Sequence, residues 1–223
     1  GEEIEAMAEQ VLDDLHGRDV LLADGVLDDS IRLLASRRGQ QLAVVTLPLT
    51  ASAPYRQYLA NFFTDPRQQS LLQVGLTAFL QDFLATDDGL ARTAALDLAD
   101  PLREFGYLVP DHLTFRAEPS ADRIDLPALV EKQKPFWSRM EGFAARPPDP
   151  RNPARSYHRY LLRLISKVAN NLGFMQVEQG DKAGAQETFK QARRLEPDNV
   201  SALLNLLTIA QEDQLPELAE YQA

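Results

Sequence analysis

Three aspartates close together in the sequence are the residues whose type and spacing best fit chemistry. Asp24, Asp28 and Asp29 end or follow an apolar run that predicts a buried strand. Open α/β sheets bind ligands along the carboxyl edge of their strands, so these carboxylates could hold a divalent metal ion or a ribose hydroxyl group. Asp97 and Asp100 flank the end of another predicted strand and could extend the acidic cluster. These positions form a candidate acidic ligand site.

A simpler interpretation of the same segment is structural. Asp28 and Asp29 fall in the first turn of a predicted helix over 27–38, where acids favour the helix dipole and cap free N–H groups. The segment has no G-x-G-x-x-G and no G-K-[ST], so no motif supports phosphate binding. We favour the helix-start interpretation and keep a sugar- or nucleotide-handling site as the alternative.

The remaining residues give no argument for catalysis. His16, His112 and His158 are far apart in the sequence, and none has the spacing of a metal-binding motif, so each is predicted to be a surface or loop histidine. No G-x-S-x-G motif is present. We therefore predict no catalytic residue, no bound metal and no cofactor, and we favour a non-enzymatic role.

The first half of the chain alternates strand and helix. A buried strand over 19–24, a helix over 27–38 ending at Gly39, and a second buried strand over 42–47 predict a βαβ unit with parallel strands. Further predicted elements are helices over 2–16, 54–63 and 66–85, a third parallel strand over 92–98, and a short last strand over 113–116 after a turn. The pattern predicts an α/β domain over 1–122 with a small parallel or mixed sheet.

The second half is predicted to be helical. A helix over 125–144 leads to a proline-dense segment over 146–153 that cannot be helical, so 123–153 is assigned as a helix and connector. Pro153 is placed as the first residue of a long helix reaching 178, with Asn152 as its N-cap. Residues 154–223 are then an all-α domain.

One segment of this domain recurs after 34 residues. Asn171, Leu172 and Ala185 return as Asn205, Leu206 and Ala219, with Pro197 between the copies. This period and pattern resemble the tetratricopeptide repeat family. Two positions depart from it, with Ala169 where a Trp is usual and Gln176 where a Tyr is usual. We assign one repeat to 166–199 and a partial or capping repeat to 200–223.

The resemblance implies a binding surface made by the first helix of each repeat. Its predicted lining residues are Lys167, Asn170, Phe174 and Val177 in the first copy, and Ser201, Leu204, Thr208 and Gln211 in the second. An apolar or helical segment of a protein or peptide partner would suit this surface. Alternatively, these residues pack on the neighbouring long helix. The incomplete last repeat would also allow self-association.

Charge and composition narrow the classes of partner. The formal net charge of −10 and the pI near 4.8 argue against binding to nucleic acid or to an anionic membrane surface. The absence of cysteine excludes disulfides and thiolate sites. No apolar run is long enough to span a bilayer. Gly1 precedes an acidic helix start and looks like the scar of a cleaved tag, so we expect a region of a longer protein.

The whole chain also has a wider resemblance. The segments 19–29, 42–49 and 110–116, with a Gly-Asp pair in the repeat, look like the soluble region of bacterial multi-pass membrane proteins related to protein O-mannosyltransferase-like (GT-C) glycosyltransferases. The resemblance implies an accessory domain on the extracytoplasmic face, with any membrane contact made by parts of the parent outside this sequence. None of that family's catalytic residues can be placed here. Without the resemblance, a cytoplasmic location is expected.

Overall fold

A computed structural model describes residues 2–97 and 99–222 and divides the chain into two units, 1–124 and 125–223. The predicted scar at Gly1 and the predicted strand end at Leu98 lie outside the described residues. Within the described part of the chain, no helix is both long and apolar enough to cross a bilayer. The first unit combines helices with a mixed sheet, and the second is helical.

The first unit contains five strands and seven helices among its described residues. They are α1 Glu2–Asp14, β1 Val20–Ala23, α2 Asp28–Arg37, β2 Ala43–Thr46, α3 Ala53–Ala60, α4 Pro66–Val74, α5 Leu76–Leu84, α6 Asp87–Arg92, β3 Thr93–Leu96, α7 Asp100–Arg103, β4 Tyr107–Asp111 and β5 Thr114–Glu118, with short 3₁₀ turns at Leu47–Leu49 and Ala121–Arg123.

The strands form one sheet in the order β2-β1-β3-β5-β4. Val20 pairs with Ala43 on one side and Thr93 on the other, both in parallel register, which confirms the predicted βαβ unit and third parallel strand. All residues of these three strands are buried, as expected for the continuous apolar runs of parallel strands that are covered on both faces. After α2, Gly39 has a φ of +67°, and its N–H donates to Ser36 O, so the predicted helix end at this glycine is confirmed.

Two predicted boundaries in this unit are wrong. The helix predicted over 66–85 is two helices, α4 and α5, which separate at Gly75. The segment before the last strand was predicted as a turn, but Tyr107–Asp111 forms β4, which pairs antiparallel with β5. Pro110 lies within this strand, and a proline within an apolar run normally argues against a strand. Here β4 is at the edge of the sheet, where proline is tolerated.

The second unit consists of five helices among its described residues. They are α8 Leu126–Ala144, α9 Ala154–Glu178, α10 Lys182–Leu195, α11 Val200–Glu212 and α12 Leu218–Gln222. The proline-dense segment before α9 is non-helical, as predicted. The helix itself begins one residue later than predicted, at Ala154, whose N–H donates to Asn152 Oδ1 (2.9 Å).

Helices α9 and α10 pack against each other across a short turn. Gly180 has a φ of +84°, which glycine accepts without steric cost, and Asp181 Oδ1 accepts the Gly184 N–H to cap α10. The two helices approach closely at Gly173, where an added Cβ would lie 2.6 Å from Phe189 Cε1. Phe189 is fully buried and fills the space opposite the glycine.

Candidate functional site

The predicted lining residues lie on α9 and α11 and form what we call the α9–α11 face. This face comprises Lys167, Asn170, Phe174, Val177, Leu204 and Thr208. Lys167 and Thr208 are exposed, while Asn170 and Val177 are half-buried. Phe174 and Leu204 are two of the exposed large apolar side chains of the chain, with exposed fractions of 50% and 56%.

A hydrogen bond joins the two helices at this face. Asn205 Nδ2 donates to Asn170 Oδ1 across 3.0 Å. Phe174 lies one helical turn after Asn170, and Leu204 precedes Asn205, so both apolar side chains are within about one turn of the bond. The two helices therefore present a single surface. Its two largest apolar side chains, Phe174 and Leu204, are exposed. The alternative interpretation from the sequence instead had the residues of this face packed on the neighbouring long helix.

A row of cations continues along α9 before Phe174. Arg155, Arg159, Arg163 and Lys167 recur every four residues, and three of them are exposed while Arg155 is half-buried. Among the described residues, the side chains of Arg155, Arg159 and Arg163 form no ion pair or hydrogen bond. The row carries positive charge in a chain whose formal net charge is −10. The three arginines of this row, which have no such partner within the described part of the chain, favour contact with an anionic group of another molecule.

The acidic segment at the end of β1 has the geometry of a turn and a helix start. Asp24 Oδ1 accepts the N–H of Val26, and Asp28 Oδ1 accepts the N–H of Gly25, both at 3.1 Å. Asp29 is exposed and pairs with Arg32 at 3.1 Å. Asp28 and Asp29 lie in the first turn of α2, as the simpler interpretation predicted.

These carboxylates do not form a three-ligand group among the described residues. Among the described residues, neither Asp24, Asp28 and Asp29 nor the nearby Asp97 and Asp100 belong to a group whose ligand atoms are close enough to share a metal ion. Within the described residues, a metal ion shared by three of these carboxylates is therefore not supported, in line with the preferred helix-start interpretation. A sugar- or nucleotide-handling role stays an untested prediction.

Asp28 is the buried member of the segment. The Thr46 hydroxyl donates to Asp28 Oδ2, and Arg32 Nη2 donates to Thr46 Oγ1 (2.5 Å) and to Tyr55 Oη (3.1 Å). Burial raises the pKa of Asp28, although hydrogen bonds from Thr46 and Gly25 and the charge of Arg32 oppose the change. The carboxylate therefore joins α2 to the end of β2 through side-chain hydrogen bonds.

A second polar cluster, which sequence reasoning missed, joins the end of α1 to the β4–β5 turn. We call Asp14, His16, Asp111 and His112 the His–Asp cluster. His112 Nδ1 lies 2.8 Å from Asp14 Oδ1 and 3.4 Å from Asp111 Oδ1, and His16 Nε2 lies 3.5 Å from Asp111 Oδ2. The side chains of Asp14 and Asp111 are each only 3% exposed.

One of the three histidine predictions is wrong. His158 is a buried residue of α9, where its Nε2 donates to Phe143 O (3.0 Å). His112 lies in the β4–β5 turn, as predicted for a loop histidine, but its side chain is buried in the His–Asp cluster. His16 is exposed, as predicted. Both His16 and His112 have a positive φ, near +50°, which is uncommon for a residue other than glycine. Asp14 and His112 are 98 positions apart, so no local spacing could have connected them.

Charged neighbours surround the cluster on the strand side. Arg116 Nη1 lies 3.4 Å from Asp111 Oδ2, and Arg116 Nε lies 3.4 Å from Glu118 Oε1. Burial raises the pKa of Asp14 against the opposing effect of His112. Burial also lowers the pKa of Arg18, and the charge of Arg116 acts in the same direction.

Comparison of the chain with protein-family models, curated proteins and solved structures gave no match, so a function for this protein has to be inferred from the geometry of its own residues.

Proposed function

We propose that residues 125–223 bind a segment of a partner protein through the α9–α11 face, in a non-catalytic interaction or scaffold role. The observation that carries this proposal is the exposure of Phe174 and Leu204 on two helices joined by the Asn170–Asn205 hydrogen bond. Fully burying one such side chain against a partner contributes about 1.5–3 kcal/mol. Two of them on the same face supply an anchor for a docked segment.

The charge of α9 specifies the chemistry of the partner. The cation row ends at Lys167, two turns before Phe174. A segment lying along α9 would thus meet positive charge first and apolar surface next. We propose an acidic segment that carries apolar anchor residues at one end, because such a segment complements both regions.

We also propose a tetratricopeptide-type arrangement for α9–α12. The close approach at Gly173 and the buried Phe189 support it, since the family's small and aromatic positions meet in the same way. Gln176, at the position where the family has a Tyr, is buried and accepts a hydrogen bond from Thr188 Oγ1 (2.6 Å).

Selection of peptides tests the binding proposal. A random peptide library displayed on phage is selected against the complete chain, and affinities of recovered peptides are measured by fluorescence anisotropy. We expect peptides with acidic residues beside apolar anchors. Replacing Phe174 and Leu204 together by serine should weaken their binding at least about tenfold, the equivalent of 1.4 kcal/mol.

Tyr157→Ser is the matched control, because Tyr157 is an exposed aromatic residue on α9 about five turns from Phe174. This variant should bind the selected peptides as the unchanged protein does. Recovery of no binding peptide, or equal binding by the Phe174/Leu204 variant, would overturn the proposal. Concentration-dependent dimerisation in sedimentation that the same double variant abolishes would instead identify a second copy as the occupant.

We further propose, from the wider resemblance, that the chain is the extracytoplasmic part of a larger bacterial envelope protein. The chain contains no cysteine, so Tyr157→Cys introduces a single reactive thiol. In intact cells carrying the native gene with this change, a membrane-impermeant maleimide should label the site, as identified by mass spectrometry of the peptide. Labelling only after lysis would place the chain in the cytoplasm and contradict the proposal.

A further inference from the structure

We propose that Asp14, His16 and Asp111 bind one divalent transition-metal ion of the Mn²⁺ to Zn²⁺ series. One ligand atom from each residue lies within 4.8 Å of the others. Ligand atoms around a single such ion are about 3–4 Å apart, given metal–ligand distances near 2.0–2.2 Å. Small side-chain adjustments would therefore close the site, which lies in the first unit and is separate from the α9–α11 face.

An unsatisfied buried atom supports a ligand here. Asp14 Oδ1 is hydrogen-bonded to Gln10 Nε2 (3.0 Å) and lies beside His112 Nδ1. Asp14 Oδ2 is buried and has no hydrogen-bond partner. A buried carboxylate oxygen normally finds a donor, so a purely structural network would leave this atom paired. A metal ion would supply the missing partner.

Three of the contacts that Asp111 makes are longer than usual for charge-assisted hydrogen bonds. Its carboxylate lies 3.4 Å from Arg116 Nη1, 3.4 Å from His112 Nδ1 and 3.5 Å from His16 Nε2. Charge-assisted hydrogen bonds between such groups are typically 2.7–2.9 Å. None of these three contacts fixes the carboxylate as a tight ion pair would.

Charged groups of both signs face the cluster. Three carboxylates, from Asp14, Asp111 and Glu118, face two guanidinium groups, from Arg116 and Arg18. His112 acts as a positioning residue. When Nδ1 carries a proton, it donates to Asp14 Oδ1 and leaves Oδ2 for the metal, as carboxylate partners do around many metal sites.

The ligand types select the class of metal. Two carboxylate oxygens suit Mn²⁺ and Zn²⁺, and an imidazole nitrogen favours transition metals over Mg²⁺, which prefers oxygen ligands. The His16 side chain is half exposed, so water can reach the site from that side and complete the coordination. The residues present thus fit a three-ligand site with open positions.

Calorimetric titration of the complete, tag-free chain with ZnCl₂, MnCl₂ and MgCl₂ tests the proposal. We expect one Zn²⁺ or Mn²⁺ per chain and at least tenfold weaker binding of Mg²⁺. Asp14→Asn and His16→Gly should each weaken transition-metal binding about 10–100-fold or more. Glycine is used at position 16 because it accepts the positive φ of this residue without strain.

Asp13→Asn is the matched control, since it removes an adjacent exposed carboxylate that pairs with Arg38. It should change metal affinity less than twofold. Substitution with Co²⁺ should give a visible d–d absorption band that His16→Gly alters, a signal that a change in fold stability alone would not produce. No one-to-one binding of Zn²⁺ or Mn²⁺, equal Mg²⁺ affinity, or unchanged binding by folded His16→Gly would overturn the proposal.

Discussion

Replacing Phe189 by alanine is expected to lower the free energy of unfolding of the second unit by about 3–5 kcal/mol. The ring is fully buried, and it fills the space beside Gly173, where the backbones of α9 and α10 approach. The loss of the ring would leave a cavity that neither helix can close without breaking its own contacts. The effect is large because the favourable transfer energy of the buried ring is lost and the cost of an unfilled cavity is added to it.

Urea unfolding followed by tryptophan fluorescence measures this effect. Trp137 is the only tryptophan of the chain and lies buried in α8 of the same unit. Phe174→Ala is the matched control, because this phenylalanine is half exposed on α9 and should cost about 0.5 kcal/mol or less. Equal costs for the two phenylalanines would contradict the assignment of Phe189 to the core.

Replacing Asp28 by alanine is the second change with a large expected effect. It removes the acceptor of the Gly25 N–H and of the Thr46 hydroxyl. Each buried polar group left without a partner costs about 1–3 kcal/mol. We expect Asp28→Ala to destabilise the first unit by several kcal/mol in urea unfolding monitored by circular dichroism at pH 7.

Asp28→Asn is its control and tests the pH dependence. The amide oxygen can accept the same N–H, so this variant should cost less than Asp28→Ala. The folded-state pKa of Asp28 lies above its ordinary value because of burial, opposed by Thr46, Gly25 and Arg32 and reinforced by Asp24. The folded protein therefore binds the proton more tightly than the unfolded chain, and stability from this group falls as pH rises.

The expected result is a gain in stability of the unchanged protein relative to Asp28→Asn as the pH falls from above the folded-state pKa toward about 3.9. The difference should be constant above the folded-state pKa and below the unfolded-state pKa. A loss of relative stability on acidification would mean that the hydrogen bonds from Thr46 and Gly25 and the charge of Arg32 outweigh burial, contrary to the direction of the pKa shift of Asp28.

Sequence patterns predicted the elements whose signals are local. The apolar runs of β1, β2 and β3 predicted parallel strands, and Gly39 marked the end of α2, because the side-chain pattern and turn chemistry are sufficient there. The sequence pattern gave wrong predictions where tertiary contacts determine the local structure. β4 contains Pro110 and forms only because it lies at the edge of the sheet, and Gly75 separates α4 from α5 within a continuous helical pattern.

The residues of the candidate sites could be predicted only where a local sequence signal was present. Phe174 and Leu204 were assigned to a surface because a 34-residue period places them on corresponding helices. The His–Asp cluster could not be predicted, since Asp14 and His112 meet only after the sheet brings the β4–β5 turn to the end of α1. Asp28 was placed in the first turn of a helix, but its burial against Thr46 depends on the packing of α2 beside β2.

Tyr55 covers part of the sheet edge at which a strand of another copy of the chain could pair. β2 is an edge strand, so every second backbone group along it faces away from the sheet. The Tyr55 hydroxyl accepts the Thr46 N–H (2.9 Å) and donates to Val44 O (2.8 Å), while Arg32 Nη2 donates to the same carbonyl (3.1 Å). The outward hydrogen-bonding positions at this end of β2 are thus occupied within the molecule. An incoming strand could add to the sheet there only after displacing the phenol, which is a built-in obstacle to edge-to-edge aggregation.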